Sequence, residues 1–573
     1  MKILIIYPYP LFDRSQEEDI CVVPIGVYYV GAVLKKEGYD VEILNWYNIH
    51  KSPHRIVETF RAKKPDVIGF SILNANRWGG IELAQIAKEL DPQVKVIFGG
   101  VGATFLWRHF LTHFSVVDFV VIGEGEYAFL NLVQVMEQGG EEQLQNIRGI
   151  AFRRGSRIVR TEAANPIDHL DELPIPAAYF RYQHVASSRG CPGKCTFCGS
   201  PKFWGHRVRL RSADNFVEEL ELLYHQGLRF FYFSDDTFTV NKARVVEICK
   251  AILKRGLKIV WVAISRADYV NETILYWMRM AGCIQISYGV ESGSERIRGL
   301  LNKRLKTDDI KKAFSLTHRY GILARAYFIY GCPEETKETI EATIDMIRQI
   351  RPFICVFYIL EIYPGTKLYA DYQKKSHVTD DIWLKKMEGL CYFESDPHLS
   401  QALIMDFGKQ LRTGFYTSLS TFAEALDLID EKPFYEMHAD FCSRLAMTFS
   451  QGDYANNEAI IDKEKAAERL FNKALSYAPD HRAYLGLAVL KQNEKEYQRA
   501  VDVLSEGVRH FPGSEQLNLC LGINYMNVGE YEKALGCFRQ FEGSKEAIHY
   551  MAICYRALGD GGKAEALLKK AHR

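Results

Sequence analysis

The 573-residue chain has no charge excess: 72 lysines and arginines face 71 aspartates and glutamates, for a formal net charge of +1. A dedicated nucleic-acid binder carries a basic surplus, so no nucleic-acid partner is expected. A hydrophobic content of 47% is too high for a disordered chain. No uninterrupted apolar run reaches the ~20 residues that a membrane span needs. The most apolar glycine-rich stretch, around 94–107, runs into Arg108, His109 and His113. The opening MKILIIYPYPLFDRSQEED meets charge after a short apolar run, unlike a secretory leader. Thirteen cysteines, an odd number spread from Cys21 to Cys554, do not make a disulfide framework. A G-x-G-x-x-G after the first strand and a P-loop are both missing, which argues against dinucleotide and ATP binding. The expectation is a soluble, cytoplasmic protein of about four folding units.

What is present first is alternation. KILIIYP (2–8) is a continuous apolar run ending in proline, as a strand buried on both faces reads. A helix follows at about 25–38 with Gly38 as its stop. VEILNW (41–46), DVIGFSI (66–72), VKVIFGG (94–100) and DFVVIGEGE (118–126) recur with helix-length spacers. This predicts an α/β domain with a doubly wound parallel sheet, whose ligands bind beyond the carboxyl ends of the strands. Those ends carry Ser71 and Asn74, then Gly99, Gly100 and Gly102, then Gly123, Glu124 and Gly125. The same glycines also suit plain strand-to-helix turns.

The set resembles the cobalamin-binding domain at the N-terminus of many radical S-adenosylmethionine (SAM) proteins. The matching stretches, within about residues 1–145, are PIGVYYVGAVLKKEGYDVEILN, PDVIGFS, VIFGGVGAT and VDFVVIGEGE. The resemblance implies cobalamin beside Ser71, Gly99, Gly100, Gly123, Glu124 and Gly125. The D-x-H-x-x-G signature, whose histidine is the lower axial ligand, is missing. Asn48-Ile49-His50 is its nearest echo but follows the second strand and lacks the aspartate. His50 therefore reads as a loop residue, and a bound cobalamin is expected to have no protein histidine beneath it.

A hairpin-like stretch (147–161) and a proline-rich linker fill residues 146–180, before SSRGCPGKCTFCGSPKFWG. The spacing Cys191-x3-Cys195-x2-Cys198 puts three soft thiolate donors on one short loop. Structural zinc normally closes with four ligands; no second C-x-x-C lies nearby, and His206 is the one close candidate. Three ligands suit a 4Fe–4S cubane with one open iron. The motif resembles the radical SAM signature. That resemblance implies a cluster on Cys191, Cys195 and Cys198, with SAM chelated to the fourth iron. Homolytic cleavage of SAM then gives methionine and a 5′-deoxyadenosyl radical. Phe197, between the second and third cysteines, is implied near the adenine.

Six strands, HVASSRG (184–190), RFFYFSDD (229–236), IVWVAISR (259–266), IQISYGVES (284–292), LARAYFIYG (323–331) and ICVFYILEIYPGT (354–366), alternate with five helical patterns. Ser212, Asn271 and Thr307 read as N-caps, and Gly227, Gly256, Gly282 and Gly321 as stops. The expected domain, 181–400, is a partial (βα)6 barrel whose polar strand ends build the site. By the family resemblance, Ser234, Asp235 and Asp236 fall where the SAM amino group is contacted, and Glu291 and Ser292 where the ribose is. Arg266 and Arg325 are candidate carboxylate contacts, Tyr327 and Tyr363 candidate cavity walls, and Cys332 a turn thiol.

Residues 401–459 read as a helical extension without assignable chemistry. Tyr497 and Ala500 recur 34 residues later as Tyr531 and Ala534, and Leu504 is matched by Phe538. Small residues at fixed positions allow close helix crossings, and the stretch 460–573 resembles a tetratricopeptide array. Such an array implies a protein partner or a carrier-borne substrate, or else serves only to stabilise the enzyme.

The expected function is a cobalamin-dependent radical SAM enzyme that methylates an unactivated carbon, with flavodoxin or ferredoxin as electron donor. Two alternatives stand beside it. One is a radical SAM enzyme with a cobalamin-free first domain, performing a rearrangement or cyclisation. The other is a non-catalytic, metal-bearing repeat adaptor.

Overall fold

The computed structural model of the chain describes residues 1–11, 21–205 and 207–571, so His206 lies outside the described residues. The chain divides into two compact units. The first comprises 1–313, 325–345 and 355–410; the second comprises 314–324, 346–354 and 411–573.

The first unit begins with a seven-stranded sheet in the order β2-β1-β3-β4-β5-β6-β7. Its strands are β1 (Lys2–Tyr7), β2 (Asp40–Asn45), β3 (Val67–Ser71), β4 (Lys95–Gly99), β5 (Phe119–Val121), β6 (Ile150–Arg154) and β7 (Arg157–Arg160). β1 to β5 pair in parallel, and β6 and β7 add as an antiparallel edge. The hairpin expected between domains is thus the rim of the first sheet, because Val120 and Val121 offer it an open edge opposite Ala151 and Ile150. The helices are α1 (Ile25–Lys36), α2 (Pro53–Lys63), α3 (Arg77–Leu90), α4 (Val101–Phe105), α5 (Trp107–His113) and α6 (Glu126–Glu137). Successive strand residues point to opposite faces, which splits the apolar run of β1. Ile3 and Ile5 join α1 and α6 in one core layer; Leu4 and Ile6 join α2, α3 and α5 in the other.

A second large sheet has the order β15-β14-β13-β12-β11-β8. Its strands are β8 (His184–Val185), β11 (Phe230–Phe233), β12 (Val260–Ser265), β13 (Cys283–Glu291), β14 (Leu323–Tyr330) and β15 (Ile354–Ile359). β8, β11, β12 and β13 pair in parallel. A short antiparallel pair, β9 (Ser188–Arg189) and β10 (Arg209–Leu210), brackets the cysteine loop and α7 (Ser200–Trp204). The intervening helices are α8 (Ala213–His225), α9 (Lys242–Lys254), α10 (Glu272–Met280), α11 (Glu295–Leu300), α12 (Thr307–Arg319) and α13 (Lys337–Ile350).

Ser212 and Asn271 cap α8 and α10 by accepting the Asn215 and Ile274 N–H groups, satisfying donors that the first turn leaves bare. Thr307 instead opens α12 as its first residue and donates its hydroxyl to Glu295 at 2.7 Å. After the barrel, β16 (Glu361–Ile362) and β17 (Leu390–Cys391) pair antiparallel and enclose a strap containing α14 (Lys367–Ser376) and a 3-10 turn, Asp380–Leu384. The strap returns to the first sheet's helices. Arg77 on α3 donates to the carbonyls of Asn74, Glu388 and Met387, and Trp383 lies 4.9 Å beneath its guanidinium.

The C-terminal region is helical. It contains α15 (Gln401–Tyr416), α16 (Leu419–Glu424), α17 (Tyr435–Ser450), α18 (Lys463–Tyr477), α19 (His481–Asn493), α20 (Tyr497–His510), α21 (Glu515–Asn527), α22 (Tyr531–Arg539), α23 (Lys545–Ala557) and α24 (Gly561–Ala571). Within the second unit the small residues do the work expected of them. Gly486 leaves room for the Phe471 ring, Gly522 for the Phe538 ring, and Ala500 and Ala534 are fully buried. Among the described residues no helix is long and apolar enough to cross a membrane.

Candidate active site

A cleft of about 290 Å³ lies at the carboxyl ends of β3, β4 and β5. Ser71, Gly99, Gly100, Gly123, Glu124 and Gly125 all line it. Gly100 opens α4 with φ +89°, and a Cβ there would stand 3.0 Å from the Ile72 carbonyl oxygen. Only glycine meets both demands, so bare backbone faces the cleft. Asn74 and Gly102 do other work: Asn74 donates to the Glu388 carbonyl at 2.5 Å, and Gly102 packs on the Leu73 backbone.

The opposite wall comes from segments beside the second sheet: Ala186 after β8, Ser188 and Arg189 of β9, Trp204 of α7, and Ser234 and Asp236 after β11. A buried ion network ties the two walls together. Glu124 accepts from Arg189 at 2.5 Å, from Arg209 at 2.6 Å and from the Ile167 N–H at 3.0 Å. Arg189 also reaches Glu126 at 2.5 Å. Burial opposes the Arg189 charge, but Glu126 and Glu124 outweigh it and hold the guanidinium more firmly protonated than usual. Tyr29 and Trp204 cover it at 5.1 and 5.5 Å. Arg189 precedes Cys191 by two residues, so this network fixes the root of the cysteine loop.

The loop is held from both sides, the Thr196 N–H donating to Leu301 and the Leu368 N–H to Thr196, each at 3.0 Å. The Cys191 Sγ accepts the Gly193 N–H at 3.3 Å and lies 3.4 Å from the Thr237 Oγ1. Burial pushes the Cys198 thiol up to about 12 and raises that of Cys195. Two cations face Cys195. Arg266 is oriented by Asp268 at 2.9–3.0 Å, and the Lys303 Nζ is paired to Glu291 at 2.7 Å. Glu291 adopts φ +68°, a left-handed conformation that costs a non-glycine residue about 1 kcal/mol or more. This strain turns its carboxylate back toward Lys303.

The expected SAM residues divide. Ser234 and Asp236 line the cleft, and Asp236 accepts from the Ser200 hydroxyl at 2.8 Å. Asp235 does not line it. Its carboxylate is 1% exposed and takes the Ser187 N–H at 3.2 Å and the hydroxyls of Ser187 and Ser188, so it shapes the chain before the cysteines. Ser292 is likewise committed inside the barrel, to Thr343 Oγ1 at 3.3 Å and the Ser294 N–H at 3.2 Å. Phe197 packs with Ile297, Leu301, Cys332 and Leu360.

Arg325 lies 5.6 Å from the Tyr327 ring, which stacks on Tyr358; Tyr363 donates to Glu361. The Cys332 thiol is fully buried against the Ile329 carbonyl, an inert placement. His50 is half-buried beside the Tyr9 ring and does not line the cleft. Sequence reasoning passed over Arg189, Glu126, Trp204 and Lys303. The one available signal was the arginine two residues before the first cysteine.

The donor set fits the implied cofactors. Cys191 and Cys195 turn their Sγ atoms toward Gly193, 3.3 and 3.8 Å from where its Cβ would stand, and three soft thiolates on one loop suit an iron–sulfur cluster. The glycine-walled cleft lets a ligand approach the backbone closely, and no histidine is among its described lining residues.

Comparison with known proteins agrees. The B12 binding domain family matches residues 19–133, and the radical SAM superfamily matches 185–347. An uncharacterised methyltransferase of Pyrococcus horikoshii is 32% identical over 382 residues, covering 64% of this chain and 82% of its own. An anaerobic magnesium-protoporphyrin IX monomethyl ester cyclase of Rubrivivax gelatinosus is 30% identical, covering 62% and 67%. The radical SAM methyltransferase TsrM of Kitasatospora setae, solved with cobalamin and a [4Fe–4S] cluster, shares the fold. Its TM-score is 0.60 at 15% identity, covering 83% of this chain and all of that one.

Proposed function

This chain belongs to the radical SAM family whose members carry a B12-binding domain, and from that premise we propose that it methylates an unreactive carbon centre. It is an enzyme whose cofactors are a [4Fe–4S] cluster, SAM and cobalamin. When bound, the cluster delivers an electron that cleaves SAM to a radical, and cobalamin carries the methyl group. The observation that supports the reading is the shared cleft: Ser71, Gly99 and Gly123 at the first sheet's strand ends lie across it from Arg189 of β9 and from Ser234 and Asp236 after β11.

The chain's own residues then have distinct tasks. Cys191, Cys195 and Cys198 would hold the cluster, and Arg266 and Lys303 would offset the thiolate charge around Cys195. Arg266, Arg325, Ser234, Asp236 and Glu291 are the polar groups available to SAM. Gly99, Gly100, Gly123 and Gly125 admit the corrin, while Tyr29 and Trp204 keep water from the ion network beside it. The C-terminal helices read as a tetratricopeptide-type array for a protein partner or carrier. A flavodoxin or ferredoxin in the cytoplasm suits the electron supply.

The net reaction consumes two SAM and two electrons per R–H. It gives R–CH3, S-adenosylhomocysteine, methionine and 5′-deoxyadenosine, the last carrying the substrate hydrogen. The test is anaerobic turnover of cluster- and cobalamin-loaded enzyme, with methyl-labelled SAM and fractionated metabolites of the source cell. Equal yields of S-adenosylhomocysteine and 5′-deoxyadenosine, with label in a product, are expected, and both vanish in Cys195→Ala. Deoxyadenosine with no S-adenosylhomocysteine would replace methylation by cyclisation or rearrangement, the reaction class of the Rubrivivax relative.

A further inference from the structure

We propose that His109, His113 and Asp381 bind one divalent transition-metal ion of the zinc class, at a site separate from the cofactor cleft. His109 and His113 stand one turn apart on α5, their ring centroids 5.0 Å from each other. Asp381 arrives from the strap between β16 and β17, 268 residues further along the chain, and its Oδ1 lies 2.9 Å from the His113 Nε2. One ligand atom from each of the three side chains falls within 4.8 Å of the others. None of the three lines the cleft.

Two further features favour an ion over a plain hydrogen bond. His109 is only 4% exposed, and its Nδ1 has no hydrogen-bond partner, an omission that a buried imidazole rarely tolerates. Asp381 is held by its other oxygen, which accepts from the Thr379 Oγ1 at 3.0 Å, so Oδ1 is kept turned toward the histidines. Such an outer hydrogen bond is the usual means of aiming a carboxylate ligand.

The chemistry of the set selects the ion. Two imidazoles and one carboxylate form a mixed nitrogen–oxygen site, which suits zinc and its neighbours rather than calcium or magnesium, whose ligands are oxygens. An ion ~2.0–2.1 Å from each ligand places tetrahedral donors about 3.4 Å apart, so the 2.9 Å contact need open only slightly. Water completes the fourth position. The bound ion would pin the strap to α5 beside the contacts that Arg77 and Trp78 already make with its carbonyls.

The experiment uses the full chain with its iron–sulfur cluster reconstituted anaerobically, then cleared of loose metal by a weak chelator. Zinc chloride is titrated against a chromophoric competitor, and cobalt(II) is titrated separately for its visible bands. Wild type is compared with His113→Ala and Asp381→Ala, whose side chains are 28% and 63% exposed and removable without emptying the core. One competed zinc per wild-type chain is expected. Each variant should bind it more weakly by at least the roughly 100-fold that loss of even an outer hydrogen-bond partner can cost. The cobalt bands should disappear in both variants. Equal zinc affinity in wild type and either variant, or no competed zinc in wild type, overturns the site.

Discussion

Arg189 meets Glu124 at 2.5 Å, joining the residue two places before the cluster loop to the carboxyl end of the first sheet. The pair is deeply buried, the side chains being 9% and 8% exposed. Arg189→Met leaves Glu126 without its cation and Glu124 with Arg209 alone, and should cost about 3–5 kcal/mol. Arg189→Lys should recover only part, since one ammonium cannot fork to two carboxylates. Thermal melting with parallel iron and cobalt counts checks this. Unchanged melting together with unchanged counts of both metals would show that the pair does not position the sites.

The strands, the cysteine loop and the six cleft residues were legible because each is a local pattern: apolar runs, close thiolates, small residues at strand ends. The ion network was not. Glu124 and Arg189 are 65 residues apart, and Arg77 meets strap carbonyls more than 300 residues away. Such pairings leave no periodicity to read. Asp235 shows the converse, for its strand-end position looked like that of Asp236. Only the fold reveals that Ser187 and Ser188 consume its carboxylate.

Gly193 sits between two thiols and a guanidinium. A Cβ there would lie 3.3 Å from the Cys191 Sγ, 3.5 Å from the Arg266 Nη1 and 3.8 Å from the Cys195 Sγ. Gly193→Ala therefore intrudes on the cluster's space while leaving all three ligands in place. Iron after reconstitution should fall well below about four per chain, with little change in helical circular dichroism. Full iron with ordinary deoxyadenosine output would show that the loop tolerates the methyl group.

Lys303 and Glu291 form a buried pair at 2.7 Å beside Cys195. Lys303→Met removes the cation and leaves Glu291 charged and unpaired, in a backbone conformation already strained at φ +68°. A loss of about 3–5 kcal/mol is expected, along with a more negative cluster potential, because a positive charge near the thiolates favours the reduced state. The double change Lys303→Met, Glu291→Gln removes one charge of each sign, so it should recover much of the stability and bring the potential back toward the wild-type value. Potentiometry followed by electron paramagnetic resonance separates the two effects.

His318, in the second unit, has its ring 5.2 Å from that of Phe353 and its Nε2 without a hydrogen-bond partner. Burial, aided by Arg351, pushes its pKa from 6.5 down to about 4. The unfolded imidazole takes up a proton near pH 6.5, whereas the folded one resists until about 4. Its contribution is therefore complete above pH 6.5 and is lost as the pH falls through that window, by about 2 kcal/mol between pH 7 and 5. His318→Phe should remove this component, flattening the urea midpoint of the helical transition over the same range. An equal pH slope in the variant would assign the acid sensitivity elsewhere.

Ser71 closes β3 at the cleft, opposite Gly99 in the sheet register, and is 9% exposed. Ser71→Trp should place an indole where the corrin is proposed to lie, and nothing near the cysteines. Cobalt should fall from about one to near zero per chain after purification from cobalamin-fed cells, while iron stays near four, since the thiolate ligands are untouched. Formation of S-adenosylhomocysteine should stop, and uncoupled cleavage of SAM to deoxyadenosine should persist. Loss of iron as well would mean that the indole disturbs the Arg189 network rather than the cleft. Cobalt retained in full would place the corrin elsewhere in the first domain. That result would leave the shared cleft without the ligand that makes methyl transfer across it reasonable.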